Sequence, residues 1–446
     1  AASSPRTYSA LWIVGHANNI LVGTTVGEAV LFGAEATGVT PNTPGAKFQS
    51  SHRSEDIQGL LINNKVVFVQ QGGRRVRELT FTRDANQYEA ADLTEMAEHI
   101  TESKLVEWDY QSNPHPTLWG VRTDGVMAAL AYESRSAMRA WSRVVIPGTA
   151  AKVESVAVIN GDTDEQQVWL STVRTVDGST VRFVEQMQPR AWGSDDTAAW
   201  FVMAGIEQDH GAVKTVTSVT KADPAVATST AHGLSNGEFV RFQVTAGMTE
   251  LVGNVYKVSN VSANTFELQT EDGSTDIDST AFTTWTTGSV EQVSKIITGL
   301  THLEGETVGI LSDAFNQPTE VVASGQVTAD EYGNRHIVGL AYTSRIEPTN
   351  LVIQAAAGVD SLVTEFVLQF YKTIGGKVGV ASDKLTDILL GYPQVYGQQQ
   401  TFQTGQHRQP VEGTWDKDST VLVEQSTTLP MTLLGIIPVF QPGGAR

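Results

Sequence analysis

The chain of 446 residues contains no cysteine. A disulfide framework, a thiolate metal site and thiol catalysis are therefore excluded. Long apolar runs are also missing, because the longest one near the C-terminus, LLGIIPVF, is far too short to span a bilayer. The first residues, AASSPRTYSALWIVG, lack both an initiator methionine and a signal-peptide pattern. We therefore expect the chain to begin inside a longer gene product, through processing or through missing upstream residues.

Basic residues are few. The chain has 30 Lys and Arg against 49 Asp and Glu, which gives a net charge of -19 at pH 7. This balance disfavours sequence-specific reading of duplex DNA, which needs a large basic face. It fits a soluble surface, or a wall that repels polyanions.

Motifs of catalysis and of cofactor binding are absent. None of the nine histidines stands at metal-ligand spacing from another, no G-x-S-x-G occurs, and GGKVG at 375–379 lacks both the Walker and the Rossmann spacing. Two acidic stretches depart from the calcium-loop pattern and predict solvated turns; their carboxylates are Asp162, Asp164, Asp272, Asp276 and Asp278. We therefore expect no cofactor, and a structural or interaction role rather than an enzyme.

Strand signals dominate what is present. Short β-branched and aromatic runs alternate with Gly, Asp and Asn turns, which predicts a mainly β fold. Two stretches, TAAWFVMAG and ADLTEMAEHITES, predict short helical pieces.

A weak repeat runs through the first 190 residues. Four apolar runs each precede a glycine turn and a second strand, with the glycines at Gly27, Gly73, Gly125 and Gly178. The intervals of 46, 52 and 53 residues are typical of propeller blades, although any all-β protein also produces such hairpins. Four blades are few for a closed ring, so we expect upstream residues to supply more.

Two neighbouring positions that follow each turn glycine are expected on opposite faces of the strand, because neighbouring side chains of a strand point to opposite sides. The position three residues after the glycine is apolar in every repeat and predicts the core side. The next position predicts the outer or inter-blade side. The first set is Val30, Val76, Ala128 and Val181, and the second set is Leu31, Arg77, Ala129 and Arg182.

Changes in residue composition and strand pattern along the chain predict three domains. Residues 1–212 are expected to form propeller-like repeats that are incomplete at the N-terminus, and residues 294–446 a β-rich platform with C-terminal strands. Residues 213–293 are rich in Thr, Val, Ser and Gly and predict five or six short strands of an inserted β-barrel or sandwich. The strands around FVMAGI and KIITGLTHLEG are expected to pair across this insertion.

An arginine cluster stands directly after a two-glycine turn in QGGRRVREL. Arg74, Arg75 and Arg77 are close in sequence to many acids, which favours an ion-pair face, either local or between blades or subunits, with Arg182 at the matching place in a later repeat. A DNA contact is the alternative. No aromatic residues are interleaved with these arginines, which disfavours a single-strand stacking surface.

Several stretches in a fixed order resemble the nozzle proteins of short-tailed bacteriophages (podoviruses), of the tail tubular protein B type. They are VVFVQQGGRRVREL, the run from ADLTEMAEHITES to AMRAWSRV, VESVAVINGDTDEQQVWLSTVRTVDGSTVRFVEQM, THLEGETVGILSDAFNQPTEVVASGQVT with VGLAYTSRIEPTNL, and GTWDKDSTVLVEQSTTLPMTLLGIIP. The insertion resembles the FCCH-type small β domain through TKADPAVATSTAHGLSNGEFVRF and GMTELVGNVYKVSNVSANTFEL.

The resemblance implies a virion protein in the short tail that forms a hexameric ring below a tail adaptor protein. Tail fibres or spikes would be further partners, and double-stranded DNA would pass through the ring during ejection. Either the protein is cleaved during assembly, in which case the N-terminal fragment of the same gene product would stay bound, or the missing upstream residues belong to another chain. Six acidic copies would line a channel in which DNA slides.

Two other functions stay open at this point. One is a carbohydrate- or receptor-binding tail protein, with glycan-cleaving activity as an extension, and the other is a secreted bacterial propeller scaffold. Exposed tryptophans beside paired carboxylates would favour glycan binding. The regular spacing of the candidates favours core positions instead; they are Trp108, Trp119, Trp141, Trp169 and Trp192.

Overall fold

The fold consists of β-strands and connecting turns. The computed structural model describes residues 8–33, 39, 45–84, 86–133, 138–161, 165–190, 193, 195–348, 361–388, 390, 402–413, 415–416 and 420–442. These residues contain no α-helix, only three short 3-10 turns at Asp196–Ala198, Thr249–Leu251 and Thr301–Leu303. Nor do they contain a helix long and apolar enough to cross a bilayer. The prediction of a mainly β fold is confirmed.

The chain divides into two compact units, residues 1–190 and 191–446. The described residues of the first unit carry 15 strands: β1 (Ala10–His16), β2 (Asn19–Thr24), β3 (Glu28–Phe32), β4 (Gly45–Ser50), β5 (Leu60–Ile62), β6 (Lys65–Val69), β7 (Val76–Thr82), β8 (Gln87–Asp92), β9 (Leu105–Gln111), β10 (Thr117–Arg122), β11 (Met127–Glu133), β12 (Met138–Val144), β13 (Lys152–Asn160), β14 (Gln166–Val176) and β15 (Ser179–Gln186).

These strands form four antiparallel sheets in chain order. Sheet 1 is β1 to β4, sheet 2 is β5 to β8, sheet 3 is β9 to β12, and sheet 4 is β13 to β15. Within each sheet every strand pairs with the next one along the chain, so that the sheets are simple meanders. The propeller itself stays a prediction.

Successive sheets bury their faces against one another. Trp12 and Leu21 of sheet 1 share a core with Phe68 and Leu79 of sheet 2. A second core joins sheet 2 to sheet 3 and includes Val69, Val76, Leu105, Leu118 and Leu130. Strand β13 of sheet 4 lies against β9 of sheet 3. Burial of these apolar faces is the main stabilising contribution in unit 1.

The two positions that follow each turn glycine have the predicted burial only in part. Val30, Val76 and Ala128 are buried, whereas Val181 is only half-buried because β15 has no fourth strand beside it in the described residues. Ala129 was expected on an outer face and is instead buried. Sheet 3 lies between sheets 2 and 4, so that both of its faces are covered and the alternation of apolar and polar residues disappears.

The second unit has 20 strands in the part that the structure describes, and a curled sheet lies among the first eight. They are β16 (Met203–Asp209), β17 (Lys214–Val216), β18 (Ser218–Val219), β19 (Val226–Thr228), β20 (Phe239–Ala246), β21 (Val255–Ser259), β22 (Thr265–Gln269) and β23 (Thr287–Thr298). The other twelve are β24 (Thr307–Ser312), β25 (Phe315–Val321), β26 (Gln326–Gly333), β27 (Arg335–Leu340), β28 (Ser344–Ile346), β29 (Ser361–Thr373), β30 (Lys377–Gly379), β31 (Leu385–Asp387), β32 (Gln403–Pro410), β33 (Trp415–Asp416), β34 (Leu422–Gln425) and β35 (Leu433–Pro442).

The curled sheet has the order β17-β23-β20-β21-β22-β19-β18 and forms a half-barrel, with β26 paired to the far part of β23. Its concave core contains Met248, Leu251 and a cluster of aromatic rings. Phe242 is central, since the Phe266 and Trp285 rings lie 6.5 and 6.1 Å from it. A curled half-barrel sheet thus forms where a small inserted barrel or sandwich was expected, in residues 213–293, and the closed form stays a prediction.

Three smaller sheets complete unit 2, with the orders β16-β27-β24-β25, β28-β34-β30-β31 and β32-β29-β33, the last with β35 also on β29. The pairing expected between FVMAGI and KIITGLTHLEG is wrong. Strand β16 pairs with β27, and the bonds between the two stretches come from side chains: Gln208 donates to the carbonyl of Ile296 at 3.0 Å, and His302 bonds the carbonyl of Ala204 at 2.8 Å. In residues 294–298 strand β23 pairs with β26, and the Gln208 side chain, rather than a strand, bonds the backbone of Ile296 and Thr298.

The segment ADLTEMAEHITES is also not helical. It begins as the end of β8 and continues as turns, in which Ala97 N–H bonds Thr94 O and Ile100 N–H bonds Ala97 O. Leu93, Ala97 and Ile100 are buried in the core of sheets 2 and 3, and this burial overrides the weak helical preference. The contacts of the chain divide it after residue 190, and the predicted boundaries at 212 and 293 stay predictions.

Candidate functional site

The arginine cluster lies at the turn between β6 and β7 of sheet 2. The turn passes through Gly72 and Gly73, with φ of +99° and +73°, values that favour glycine. The N–H of Gly72 donates to the Glu55 carboxylate at 2.7 Å, and Gln70 N–H donates to the carbonyl of Arg75 at 2.8 Å. These bonds fix the turn and so position the arginines that follow it.

Arg75 and Arg77 share one carboxylate. Arg75 bonds the Asp92 Oδ2 at 2.5 Å and Glu98 at 2.5 Å. Arg77 lies opposite Asp92 in the β7–β8 ladder, 3.7 Å away, and its guanidinium also donates to Gln70 Oε1 and to the carbonyl of Ala90. Cross-strand opposition of this kind places opposite charges side by side.

Asp92 is the centre of this cluster. Burial acts to raise the pKa of its carboxyl, but hydrogen bonds from Thr94 and Arg75 hold that pKa below its usual value. The carboxylate is therefore charged at neutral pH. Arg74 is exposed, and in the described part of the chain no carboxylate lies within ion-pair distance of it.

Arg182 pairs within its own sheet. Its guanidinium reaches across β14 to Glu154, with distances of 2.8 and 3.0 Å. The hydrogen bond from Arg182 lowers the pKa of the Glu154 carboxyl. The Arg182 side chain is 66% exposed, so the pair contributes little to stability.

The acidic partners of Arg75, Arg77 and Arg182 thus lie in the same sheet or in the connector that follows it. A contact of these residues or of Arg74 with another sheet or another copy stays a prediction. In addition to their apolar contacts, the sheets of unit 1 are joined by polar groups that the sequence patterns did not indicate.

A buried carboxylate joins sheet 2 to sheet 3. Glu78 bonds Lys65 at 2.6 Å on its own sheet, and it accepts a hydrogen bond from the Tyr132 hydroxyl of sheet 3. Arg139 of sheet 3 lies 3.5 Å away. Burial acts to raise the pKa of Glu78, but the bonds from Lys65, Tyr132 and Thr80 bring it below its usual value. Burial, and then the bond to Glu78, raises the pKa of Tyr132.

Other polar bonds cross between sheets. His16 of sheet 1 bonds the Tyr88 hydroxyl at 2.8 Å, the Trp108 indole donates to the carbonyl of Gln58 at 2.7 Å, and Val158 N–H donates to the Asp109 carboxylate at 2.6 Å. Each bond joins one sheet, or the segment leading into it, to the next.

One backbone joint recurs between consecutive sheets. The N–H of a residue leading into a sheet donates to a carbonyl in the glycine turn of the sheet before it. Ser54 donates to Thr24 at 3.1 Å, Leu105 to Gly73 at 2.8 Å, and Val153 to Gly125 at 2.9 Å. We call this contact the turn joint.

The turn joint leaves no room for a side chain at its glycine. A Cβ on Gly73 would lie 2.8 Å from Lys104 Cβ, and one on Gly125 would lie 2.4 Å from Lys152 Cβ. Both glycines also have positive φ. The repeat glycines are therefore required by backbone conformation and by the close approach of the next sheet.

A Ser–His pair in unit 2 has the wrong surroundings for catalysis. Ser312 Oγ lies 2.8 Å from His336 Nδ1, and His336 Nε2 lies 3.1 Å from the carbonyls of Ser294 and Gly333. Nε2 therefore carries the proton. Both side chains are fully buried, and burial lowers the pKa of His336, so the imidazole is neutral and out of reach of a substrate. The pair joins β24 to β27.

The other candidates are structural as well. Trp108 and Trp119 are buried as predicted, while Trp141 and Trp169 are half-buried and donate to Leu93 O and Gln167.

Asp272 and Asp278 cap turns through Thr270, Ser274 and Thr280, and the bonds lower the pKa of Asp272 to about 2. Asp276 accepts from Gln269. No group of three potential metal ligands occurs among the described residues, which omit Asp162, Asp164 and Trp192.

No model of a known protein family matches this chain, and a search of curated proteins finds no match either. The resemblance to phage nozzle proteins therefore stays a prediction, and the functional argument depends on the fold and on the contacts described above.

Proposed function

We propose that the protein is a structural virion protein, a tail nozzle of the tail tubular protein B type in a short-tailed bacteriophage. In this proposal residues 1–190 form propeller blades and residues 191–446 form a β-rich platform carrying the inserted half-barrel. Six copies assemble into a ring that conducts and gates the genome during ejection.

The turn joint is the observation that carries the proposal. Propeller blades are small antiparallel sheets that stack in chain order. Sheets 1 to 4 have this order, and three turn joints, which recur about every 50 residues, link each sheet to the next. The repeated contacts of this unit join sheets to one another, which suits a load-bearing ring better than a catalyst.

Charge supports the conduit. The 49 acidic residues exceed the 30 basic ones in every copy, so a ring of such copies is strongly anionic. The excess is concentrated in residues 191–446, which contain 28 Asp and Glu against 13 Lys and Arg, whereas residues 1–190 contain 21 against 17. An acidic wall makes few lasting phosphate contacts, so that DNA slides.

The ring would have further partners in the virion. A tail adaptor protein would hold it on the virion, tail fibres or spikes would attach to it, and a cleaved N-terminal fragment of the same gene product would stay bound. The alternative of a glycan-binding or glycan-cleaving tail protein has no support from Trp108 and Trp119, because both indoles are buried.

Imaging of the purified full chain tests the proposal. We expect a six-fold ring with a central channel in electron micrographs, and a mass of six copies by light scattering. A chain that stays monomeric at all concentrations, or that cleaves a polysaccharide, would contradict it.

A further inference from the structure

The last part of β23 connects the half-barrel to the other sheets of unit 2. Residues 287–293 pair with β20 inside the curled sheet, whereas residues 294–298 pair with β26. We call residues 294–298 the stem of the half-barrel. A side chain of β16 bonds the stem twice, because the Gln208 amide donates to the carbonyl of Ile296 at 3.0 Å and accepts from the N–H of Thr298 at 3.0 Å.

His210 completes the hydrogen bonds of the Gln208 amide. The second N–H of Gln208 points to the Nε2 atom of His210, at 3.1 Å. The amide cannot be turned over, because its oxygen would then meet the carbonyl of Ile296 and its nitrogen would meet the N–H of Thr298. The Nε2 atom of His210 is therefore an acceptor, and the ring is neutral with its proton on Nδ1.

Protonation of His210 removes this bond. An imidazolium donates from both nitrogens, so its Nε2–H would face the N–H of Gln208, and neither orientation of the amide then satisfies all three of its neighbours. The bond of His302 nearby is different. Its Nε2–H donates to the carbonyl of Ala204 at 2.8 Å, and a charged ring donates this bond equally well. The acid-sensitive contact is thus the one between His210 and Gln208.

A second neutral histidine lies beside His210. The rings of His210 and His336 meet edge to face, with their centroids 6.1 Å apart. His336 is fully buried and donates to the carbonyl of Ser294 in the stem at 3.1 Å. Burial lowers the pKa of both rings, and His210 lowers that of His336 further. Two imidazolium ions at this distance would repel each other in a site partly removed from water.

Charged groups near the two rings act in the opposite direction. Glu238, Asp209 and Asp313 raise the pKa of the first ring, and Asp313 raises that of the second, but burial is the largest effect on both. The arginines on the neighbouring strands, Arg241 and Arg335, each bond carboxylates. The balance therefore favours neutral rings in the folded protein.

We propose that His210 and Gln208 form an acid-sensitive latch, which fixes the stem of the half-barrel at neutral pH and releases it on acidification. When His210 binds a proton, Gln208 loses its third partner and the sheet β16-β27-β24-β25 loosens from the stem. The stem stays paired to β26, so the half-barrel remains attached through β23 but is no longer fixed from the side of β16. The latch is a property of the single chain and does not require the six-fold ring.

The direction of the pH effect follows from proton binding. In the closed latch His210 takes up a proton less readily than a free histidine, whose pKa is 6.5. Opening of the latch is therefore coupled to proton uptake. The closed form is fully favoured above pH 6.5 and is lost progressively as the pH falls below that value.

Hydrogen–deuterium exchange of the full chain, measured by mass spectrometry with fragmentation, tests the latch. The reporter is the amide of Thr298, which donates to Gln208. We expect its protection to fall roughly tenfold between about pH 7.5 and about pH 5, after correction for the pH dependence of chemical exchange. Amides of β22, inside the half-barrel, should keep their protection. An equal loss in β22, or no loss at Thr298, would overturn the proposal.

A neutral substitution removes the titrating ring. His210→Gln places an amide oxygen near the position of Nε2, so Gln208 keeps an acceptor at every pH. We expect this variant to protect Thr298 equally at both pH values. His99→Gln is the matched control, because His99 is exposed in unit 1, and it should show the loss seen in the parent. A His210→Gln variant that responds to acid as the parent does would refute the role of His210.

Gln208→Glu should reverse the response. Its carboxylate still accepts from Thr298, but it cannot donate to a neutral ring, whereas it bonds an imidazolium well. We expect the protection of Thr298 to be lower than in the parent at about pH 7.5 and to rise towards about pH 5, where the carboxylate is still charged. Loss of protection on acidification in this variant would contradict the proposed geometry of the latch.

Discussion

Two arginines of the same motif have different surroundings. Arg77 is 13% exposed in its side chain and donates to Gln70 and Ala90 as well as facing Asp92. Arg74 is exposed and contributes only its carbonyl, which accepts from Thr101. The motif therefore combines one structural cation with one that is free to act outside the sheet.

The first prediction follows from this contrast. Arg77→Ala should lower the free energy of unfolding by about 2 kcal/mol, because hydrogen bonds to a charged group are lost and Asp92 is left partly buried. Arg74→Ala should change it by less than about 0.5 kcal/mol. Urea unfolding of both variants provides the comparison, and equal effects would contradict the assignment.

The second prediction concerns the pH dependence of Glu78. Its folded pKa lies below the ordinary 4.5, so its contribution to stability is present above that pH and is lost as pH falls through the folded pKa. Glu78→Gln should destabilise the protein by about 3 kcal/mol at pH 7, since Lys65 and Arg139 lose a buried partner.

The difference between Glu78→Gln and the parent should then shrink as the pH falls below about 4.5, in urea unfolding measured at several pH values. Glu89→Gln, on the exposed side of β8, is the control and should follow the parent throughout. A difference that stays constant with pH would show that the pKa of Glu78 is the same in the folded and unfolded states, against the lowered folded pKa.

The sequence places Glu78 on the core side of its strand, but it does not show which groups bind the carboxylate there. In VRELTF, Glu78 has the same parity along the strand as buried Val76, which places a carboxylate on the core side. Its partners Tyr132 and Arg139 come from sheet 3, more than 50 residues later. A single sequence gives no register between such distant strands, so the network could not be predicted.

At the scale of elements, the glycine turns were predictable and the partners of strands were not. A turn glycine is a local signal, because positive φ is required at one position whatever the fold around it. The partner of β16 is β27, which follows it in the chain only after the whole insertion. The choice depends on which edges are free in the folded molecule, and residue patterns do not encode that directly.

A third prediction uses two matched glycines. Gly125→Ala should cost about 1 kcal/mol for its positive φ and more for the contact with Lys152, whereas Gly178→Ala should cost only the first amount in the single chain. Thermal unfolding of both variants at low protein concentration measures the difference. A Gly178→Ala variant as unstable as Gly125→Ala would contradict the close approach in the turn joint.

A fourth prediction concerns the attachment of the half-barrel. Arg241 of β20 donates to Glu291 at 2.7 Å and to Asp313 at 2.8 Å, and all three side chains are largely buried. Arg241→Met should lower the free energy of unfolding by about 3 kcal/mol, because two carboxylates lose their cation. Arg408→Met is the control, since its guanidinium is 71% exposed beside Glu365, and should cost less than about 1 kcal/mol.

At the scale of the whole molecule, the acidic excess governs the behaviour towards nucleic acid. We expect no measurable binding of a fluorescent DNA duplex at physiological salt with the protein at about 10 µM, because few phosphates find a cation. Fluorescence anisotropy measures this. Binding that weakens steeply as salt rises would contradict the expectation of an acidic channel wall.

Strand β23 has a mechanical consequence. Its first part pairs with β17 and β20 inside the half-barrel, and its last part pairs with β26 outside it. A force that pulls the half-barrel along this strand loads many backbone hydrogen bonds in shear at once, because those bonds run perpendicular to the strand. Strand β23 therefore provides no hinge for the half-barrel. A force applied to the half-barrel is transmitted through this strand into the other sheets of unit 2.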